Sequence, residues 1–403
     1  MLDPEYLRQI TDAAEAIASE IHDAVMVKMV QRMVKRWGDT GEFKVSQQEA
    51  WQLKTIMESG YLKADIQKEI AKKTGALLKT VKGAFKDALV ESVKWSAKVF
   101  EAAGIAAEEL GMSPFVIRLA QRALNATNNT LTNMTRTTAD AAQQTFIREC
   151  DKAYNLAASG AVGETQAIAD AIEQVSQTAS TVTYTKNGKT HTDSVETAVT
   201  RAVRTGIGQM SGDIEKQRMD EFDWDIILVS AHLGARYGDG GENASNHFWW
   251  QGKFYSKSGK DKRFPPFSVT GYGTGEGLSG WNCRHSFGAG DGVFNPYEKY
   301  DSDENKRIYD LTQKQRARER RVRALKHDVL ALKTAISATS DPELKDELQR
   351  RYHSRCVALY NANNAYMEFC GKNNLRPLDD RLAAAGFTGR DFSEVKKEAL
   401  RAN

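Results

Sequence analysis

The sequence predicts a mostly helical α+β protein, with long N-terminal and C-terminal helices around a small module that contains β-structure. Over long stretches on both sides of the centre, apolar residues recur at spacings of three and four, which is typical of amphipathic helices. Asn187 and Gly188 lie between two runs of β-forming residues, which predicts a hairpin. Residues 218–299 contain four of the seven tryptophans, three of the seven histidines and closely spaced glycines, which indicates a compact module.

Composition and charge restrict the kinds of protein to which this chain can belong. Of the 403 residues, 41% are hydrophobic and 27% are charged, which is typical of a folded globular protein. The formal net charge is only +3, so overall charge does not indicate a nucleic-acid binder. No apolar run approaches the ~18 residues that span a bilayer, and the N-terminus lacks the apolar region of a signal peptide. The four scattered cysteines do not suggest a disulfide framework, so we expect a reducing cytoplasm or a particle assembled in one.

Residues 1–112 are predicted to form an N-terminal helical region. Helical periodicity over residues 5–36 predicts one amphipathic helix, which should end near Gly38. A second helical stretch is expected to begin near residue 43, with Ser46 as its N-cap, and helical structure should continue to about residue 104.

Residues 113–217 are predicted to form a second helical region. Ser113 followed by Pro114 is a helix start signal. The next helix is unusually polar, and its narrow apolar stripe predicts packing within the chain or between copies, or against a different protein. This stripe comprises Leu124, Leu131, Met134 and Ala141. The hairpin is expected over residues 181–194, and a further helix over residues 195–217.

Residues 218–299, which we call the central module, are predicted to form a compact α+β unit. A continuous apolar run over residues 222–230 indicates a buried strand leading into it. Glycines at positions 271, 273, 275, 277 and 280 indicate tight turns or close backbone approach. The aromatic residues are numerous enough to provide a core for so small a unit.

Residues 300–403 are predicted to form a C-terminal helical hairpin and tail. Residues 306–326 contain nine basic residues and two acidic ones, which suggests contact with DNA through Arg316, Arg318, Arg320, Arg321 and Arg323. The alternative is a solvated helix face.

The central module also carries residue types that bind metals. His232, His247, Cys283 and His285 together offer four nitrogen or sulfur ligands, enough for tetrahedral zinc. However, only one residue separates Cys283 from His285, where structural zinc sites usually have two to four. The favoured alternative is that these side chains are buried and satisfied by hydrogen bonds, so no cofactor is assigned.

Two catalytic hypotheses involve the same stretch. Cys283 beside Arg284 and His285 could be a reactive thiolate, because nearby cations lower a thiol pKa. A nuclease could use His232, Arg236, His247 and Arg284 for acid–base chemistry and anion stabilisation. Neither set has a diagnostic spacing, so we predict a structural module without assigned catalytic residues.

The order of motifs in the module resembles the phage minor capsid protein 2 family of tailed bacteriophages. The motifs are SAHLGAR at 230–236, HFWWQGKFYS at 247–256, GYGTGEGLSGWNCRHSF at 271–287 and NPY at 295–297. Residues 183–207 and 360–387 are similar to that family too. The motif residues singled out are His232, Arg236, His247, Trp250, Gln251, Gly252, Trp281, Asn282, Cys283, Arg284 and His285.

Two departures accompany this resemblance. Residues 237–246 replace a shorter link, which we expect to lengthen a surface loop and alter little else. The module also resembles, more distantly, Mu-type head-morphogenesis proteins. Their CRC-like motif has a second cysteine where this chain has His285, which puts any shared metal chemistry in doubt.

The resemblance implies a structural minor head protein, made in the bacterial host cytoplasm and located in the virion, inside the head near the portal. It implies a role in head assembly, with packaging or ejection of the genome as further expectations. The expected partners are portal protein, other head proteins, further copies of this chain and packaged double-stranded DNA. No enzymatic activity is implied for the family, and a capsid-associated nuclease is the alternative.

Overall fold

The computed structural model describes residues 1–38, 47–106, 112–186 and 188–401. Long helices and two small antiparallel sheets make up the described residues, so the predicted mostly helical α+β class is confirmed. No helix in these ranges combines the length and apolarity that crossing a membrane would need.

The elements are numbered here in chain order. The helices are α1 (Pro4–Gln9), α2 (Asp12–Gly38), α3 (Gln48–Ala102), α4 (Pro114–Ala158), α5 (Glu164–Thr178), α6 (Val195–Glu221), α7 (His247–Trp250), α8 (Ser302–Ala338), α9 (Pro342–Lys372), α10 (Asp379–Leu382) and α11 (Gly389–Leu400). The strands are β1 (Thr181–Lys186), β2 (Lys189–Ser194), β3 (Ile226–Val229), β4 (Phe254–Ser256) and β5 (Phe287–Ala289).

The chain forms two compact units, each assembled from three separate stretches. The first comprises Met1–Ala14, Leu78–Leu131 and Val199–Lys314, and it contains the central module. The second comprises Glu15–Leu77, Thr132–Ala198 and Gln315–Asn403. The division of the chain into four consecutive regions, which the sequence analysis predicted, stays a prediction.

The N-terminal helix is interrupted, so the prediction of one helix over residues 5–36 was wrong. The break falls between α1 and α2, where Arg204 of α6 donates hydrogen bonds to the Leu7 carbonyl at 3.0 Å and the Thr11 hydroxyl at 2.9 Å. In a continuous helix the Leu7 carbonyl would accept from the Thr11 amide. The buried Arg204 guanidinium therefore takes the place of a helical hydrogen bond.

The other helical predictions agree with the structure where it describes them. The second predicted helix lies within α3, although its predicted start at residues 43–46, including the Ser46 cap, is outside the described residues. Helix α4 begins at Pro114, as predicted. Leu124 and Leu131 of the narrow apolar stripe are 8% and 0% exposed, so they pack within the chain.

Both sheets are small. Strands β1 and β2 form the predicted hairpin, with Thr181 opposite Ser194, and Gly188 in the turn has a φ of +72°. Asn187 lies outside the described residues. In the central module, β3 lies between β4 and β5, antiparallel to both. Aliphatic and aromatic residues form the core on this sheet, and its aromatic members are Phe100, Trp250, Tyr255, Phe267 and Phe287.

Helices α8 and α9 form the predicted hairpin of helices. Asp341 caps α9 by accepting hydrogen bonds from the Glu343 and Leu344 amides, and Pro342 occupies the first turn. Helix α11 begins with a capping box between Thr388 and Asp391, which satisfies amides that would otherwise lack partners.

Candidate functional site

Three of the four predicted zinc ligands converge in the core of the central module. His247, Cys283 and His285 are 3%, 5% and 1% exposed, and one ligand atom of each lies within 4.8 Å of the others. The Cys283 Sγ is 3.8 Å from the His247 Nδ1 and 3.7 Å from the His285 Nδ1. Three residues of the predicted set thus lie together in space, with His247 separated from Cys283 and His285 by 36 or more positions in the chain.

Local structure positions each of the three side chains. His247 is the first residue of α7, and the Asn246 side chain caps this helix by accepting from the Trp249 amide at 3.2 Å. Cys283 and His285 lie in the segment that leads into β5. The His285 amide donates to the Cys283 Sγ at 3.4 Å, so the backbone bends around the sulfur.

Glycines allow the preceding loop to fold against this segment. A Cβ at Gly277 would lie 2.2 Å from the Gly271 carbonyl oxygen, and one at Gly280 would lie 2.4 Å from the Thr274 carbonyl oxygen. Both neighbours are backbone atoms, so no side chain fits at these positions. Asn282 has a φ of +58°, which turns the chain immediately before Cys283.

The outer nitrogens of the two histidines are hydrogen-bonded. The His247 Nε2 lies 2.8 Å from the Glu276 carbonyl oxygen, and the His285 Nε2 lies 2.9 Å from the Gln251 Oε1. The Gln251 Oε1 also accepts from the His232 amide at 3.0 Å, which fixes the orientation of this side chain amide. Both acceptors are oxygens, so each Nε2 carries the proton and each Nδ1 presents a lone pair to the sulfur.

His232, the fourth predicted ligand, lies beside the group and is not part of it. Its ring stacks on that of His285 with 4.5 Å between centroids. Its Nδ1 is 3.0 Å from the Leu233 carbonyl oxygen and 3.4 Å from the Arg284 Nη2. His232 thus acts as a packing neighbour of the three converging residues.

The remaining motif residues contribute to the loops and the core of the module. Arg236 donates to the carbonyls of Glu276 at 3.3 Å and Trp281 at 2.8 Å, which ties the two ends of the glycine-rich loop together. Trp250 is fully buried, and its indole donates to the Ala244 carbonyl at 3.0 Å. Gly252 has a φ of +63°, and Trp281 is 39% exposed.

The loop over residues 237–246 makes hydrogen bonds to the rest of the module. Ala244 accepts the Trp250 hydrogen bond, and Asn246 caps α7. The loop also has its own hydrogen bonds, because Asp239 accepts from the Gly241 amide and the Asn243 side chain, both at 2.9 Å. These contacts connect the loop to the core of the module, and the expected effect of the added length stays a prediction.

Burial controls protonation in the group. Desolvation, with Arg236 nearby, lowers the pKa of His247 to about 3, although the hydrogen bond to Glu276 opposes this. Desolvation also holds the pKa of His285 well below its ordinary value, with His232 and His247 adding to the effect. Burial raises the pKa of the Cys283 thiol. At neutral pH these groups are two neutral imidazoles and a thiol.

The five arginines predicted to contact DNA have different environments on α8. Arg320 and Arg321 are exposed. Arg323 forms a 2.8 Å ion pair with Glu15, and the Arg318 guanidinium lies 4.0 Å from the centre of the Phe369 ring. Arg316 is partly buried.

Sequence analysis missed a second group of buried polar residues, in the other compact unit. His22, Asp23 and His327 are at most 5% exposed and approach one another within 4.8 Å. Both nitrogens of His22 are already bonded, Nδ1 to the Ser180 hydroxyl at 2.7 Å and Nε2 to the Ser176 carbonyl at 2.9 Å. No local motif marks these residues, because His22 and Asp23 lie on α2 and His327 lies about 300 positions later on α8.

Comparison with known families agrees with the order of motifs. A family model described as phage minor capsid protein 2 matches residues 2–362, which include the whole central module. The chain belongs to the phage minor capsid protein 2 family. No curated protein and no solved structure matches it. The chain is therefore a minor capsid protein of a bacteriophage, as the order of its motifs implied.

Proposed function

We propose that this minor capsid protein is a structural head component on the genome side of the virion, near the portal, where it assists head assembly and contacts packaged DNA. One observation carries the DNA contact. Between residues 311 and 327 of α8 the sole acidic residue is Glu319, and it is 3% exposed. Arg381 lies 3.6 Å from this carboxylate, so the charge that α8 exposes over this stretch is basic.

A basic helix face binds the phosphate backbone without reading base sequence, and such binding weakens as salt rises. We assign the contact to Arg320 and Arg321, which are exposed, because Arg318 packs on Phe369, Arg323 pairs with Glu15 and Arg316 is partly buried. Both arginines are exposed on α8, so each can contact a phosphate.

Fluorescence anisotropy with two unrelated DNA duplexes of equal length, over a range of salt, tests this contact. Replacing Arg320 and Arg321 by alanine should weaken binding equally for both duplexes and make log K less dependent on log salt by about 2. The control replaces Arg350 and Lys372 of α9, which removes the same charge but from residues paired with Glu347 and Glu368. Equal binding by the two double variants would contradict the assignment.

The portal contact is supported by an exposed apolar stripe on α3. Its members are spaced as on one helix face and are 55–64% exposed, namely Leu53, Ile56, Met57 and Tyr61. Exposed apolar surface of this kind marks interaction sites, and association with other head proteins is expected for the family. We therefore assign this stripe to a portal subunit.

Co-purification with co-expressed portal protein tests this contact. Serine at Leu53 and Met57 should reduce recovery of the portal protein while leaving the chain folded, because both side chains are already exposed. Serine at Val293 and Phe294, which are 87% and 65% exposed in a loop, is the matched control. Full recovery with the stripe variant would exclude the stripe as the portal surface.

The alternative of a capsid-associated nuclease draws less support from the geometry. Of the residues that it would use, His247 is 3% exposed, and the Arg236 guanidinium is engaged with two backbone carbonyls. His247 therefore faces the interior of the module, and Arg236 is engaged in holding the loop backbone.

A further inference from the structure

We propose that His247, Cys283 and His285 bind one Zn²⁺ ion, through the two Nδ1 atoms and the Sγ, and that this ion cross-links α7 to the segment before β5. A water or another small ligand would complete the tetrahedron. Binding displaces the thiol proton of Cys283 to solvent, so the sulfur coordinates as a thiolate.

The distances match such a site closely. In zinc sites the metal lies ~2.3 Å from a sulfur ligand and ~2.0–2.1 Å from a nitrogen ligand. At a tetrahedral angle, the sulfur and nitrogen atoms are then about 3.6 Å apart. The two sulfur–nitrogen distances in the protein are 3.8 and 3.7 Å. Movements of a few tenths of an ångström would therefore bring both sulfur–nitrogen distances to those of a zinc site, and all three ligand atoms already lie within 4.8 Å of one another.

The hydrogen bonds around the group provide a second, independent argument. Each Nε2 donates outward, to the Glu276 carbonyl or the Gln251 side chain, and this leaves both Nδ1 lone pairs facing the sulfur. Metal-bound histidines typically have this arrangement, in which the far nitrogen donates to an oxygen. In the metal-free group one thiol proton can bond only one of the two lone pairs, although all three side chains are at least nine-tenths buried.

The ligand set also selects the class of metal. A thiolate and two imidazoles suit zinc and similar borderline-soft ions, whereas calcium and magnesium require oxygen ligands. The second buried group offers no sulfur, and both nitrogens of His22 already have partners. The proposed ion therefore belongs to the central module.

Cobalt titration of the full-length, tag-free, chelator-treated protein tests the site, since Co²⁺ bound by a thiolate gives a charge-transfer absorption. We expect one equivalent of Co²⁺ with this absorption in the wild type, displacement by Zn²⁺, and loss of the absorption in Cys283→Ser. The matched control is Cys150→Ser, which changes a free buried cysteine outside the group. A wild-type protein without the absorption would overturn the proposal even if the variant failed to fold, and so would unchanged absorption in Cys283→Ser.

Gln251 offers a second variant, as a positioning residue that holds His285. Gln251→Ala should weaken Co²⁺ binding by about 10–100-fold while the charge-transfer absorption remains at saturation. Gln251→Glu retains an oxygen acceptor and should restore most of the affinity. If both variants bound like the wild type, the outward hydrogen bond would not orient a ligand, and this part of the proposal would fail.

Discussion

Asp23 on α2 and His327 on α8 are joined by a hydrogen bond of 2.9 Å between Oδ1 and Nδ1, with both side chains buried. The other carboxylate oxygen accepts from the Gly386 amide at 2.6 Å. One carboxylate therefore connects two long helices and the C-terminal segment. Burial alone would raise the pKa of Asp23, but the hydrogen bonds from His327 and Gly386, with the electrostatic effect of the neighbouring histidines, hold it below its usual value.

Asp23→Asn should destabilise the protein by about 1–3 kcal/mol, because Asn keeps one acceptor oxygen but its NH2 group would face either the Gly386 amide or the His327 ring. Chemical denaturation followed by circular dichroism measures this loss. Asp346→Asn, which changes an exposed carboxylate of α9, is the control and should have little effect. Equal stability of the two variants would show that the buried pair contributes nothing.

Stability should fall as pH decreases from about 7 to about 5, and His22 should contribute to this fall. Burial, with His327 nearby, lowers the pKa of His22 below 6.5, although Glu196 and Asp23 oppose this. In the unfolded chain His22 gains a proton as pH falls through ~6.5, whereas in the folded protein it stays neutral. The unfolded state then binds more protons, so acid favours unfolding.

Denaturation at several pH values measures this dependence. His22→Gln should reduce the slope of the unfolding free energy against pH by at most about 1.4 kcal/mol per pH unit, which is the slope that uptake of one proton on unfolding produces. His191→Gln is the control, since His191 is exposed on the hairpin. A slope that is unchanged in His22→Gln would assign the acid sensitivity to other groups.

Gly277→Ala should destabilise the central module by about 3 kcal/mol or more, because the new Cβ would lie 2.2 Å from a backbone oxygen that cannot rotate away. Gly273→Ala provides the comparison within the same loop. Its φ is +85° with no atom within 4 Å, so only the backbone cost of about 1–2 kcal/mol applies. Similar losses for the two variants would mean that the loop relaxes around Gly277.

The features that the sequence predicted well depend on local chemistry. Ser113 and Pro114 mark a helix start through their own side chains, and Asn187–Gly188 marks the hairpin through its turn. The break after α1 could not be predicted, because it depends on Arg204, which is distant in sequence. The same holds for the pairing of Asp23 with His327.

The candidate site was predicted in part for a similar reason. Composition identified His232, His247, Cys283 and His285 as one set, because they are concentrated in a short stretch. Which of them converge depends on side chain orientation, which composition does not show. The His232 ring stacks on the His285 ring, so the converging group consists of the other three residues. Motif order identified the family without this information.

The Arg204 contact also determines how α1 should behave in hydrogen exchange. A helix of six residues is too short to persist alone in water, so protection of its amides must come from packing. Because Arg204 bonds the Leu7 and Arg8 carbonyls, α1 and α6 should open together. The exchange rates of the α1 amides would then report how often this part of the first compact unit unfolds locally.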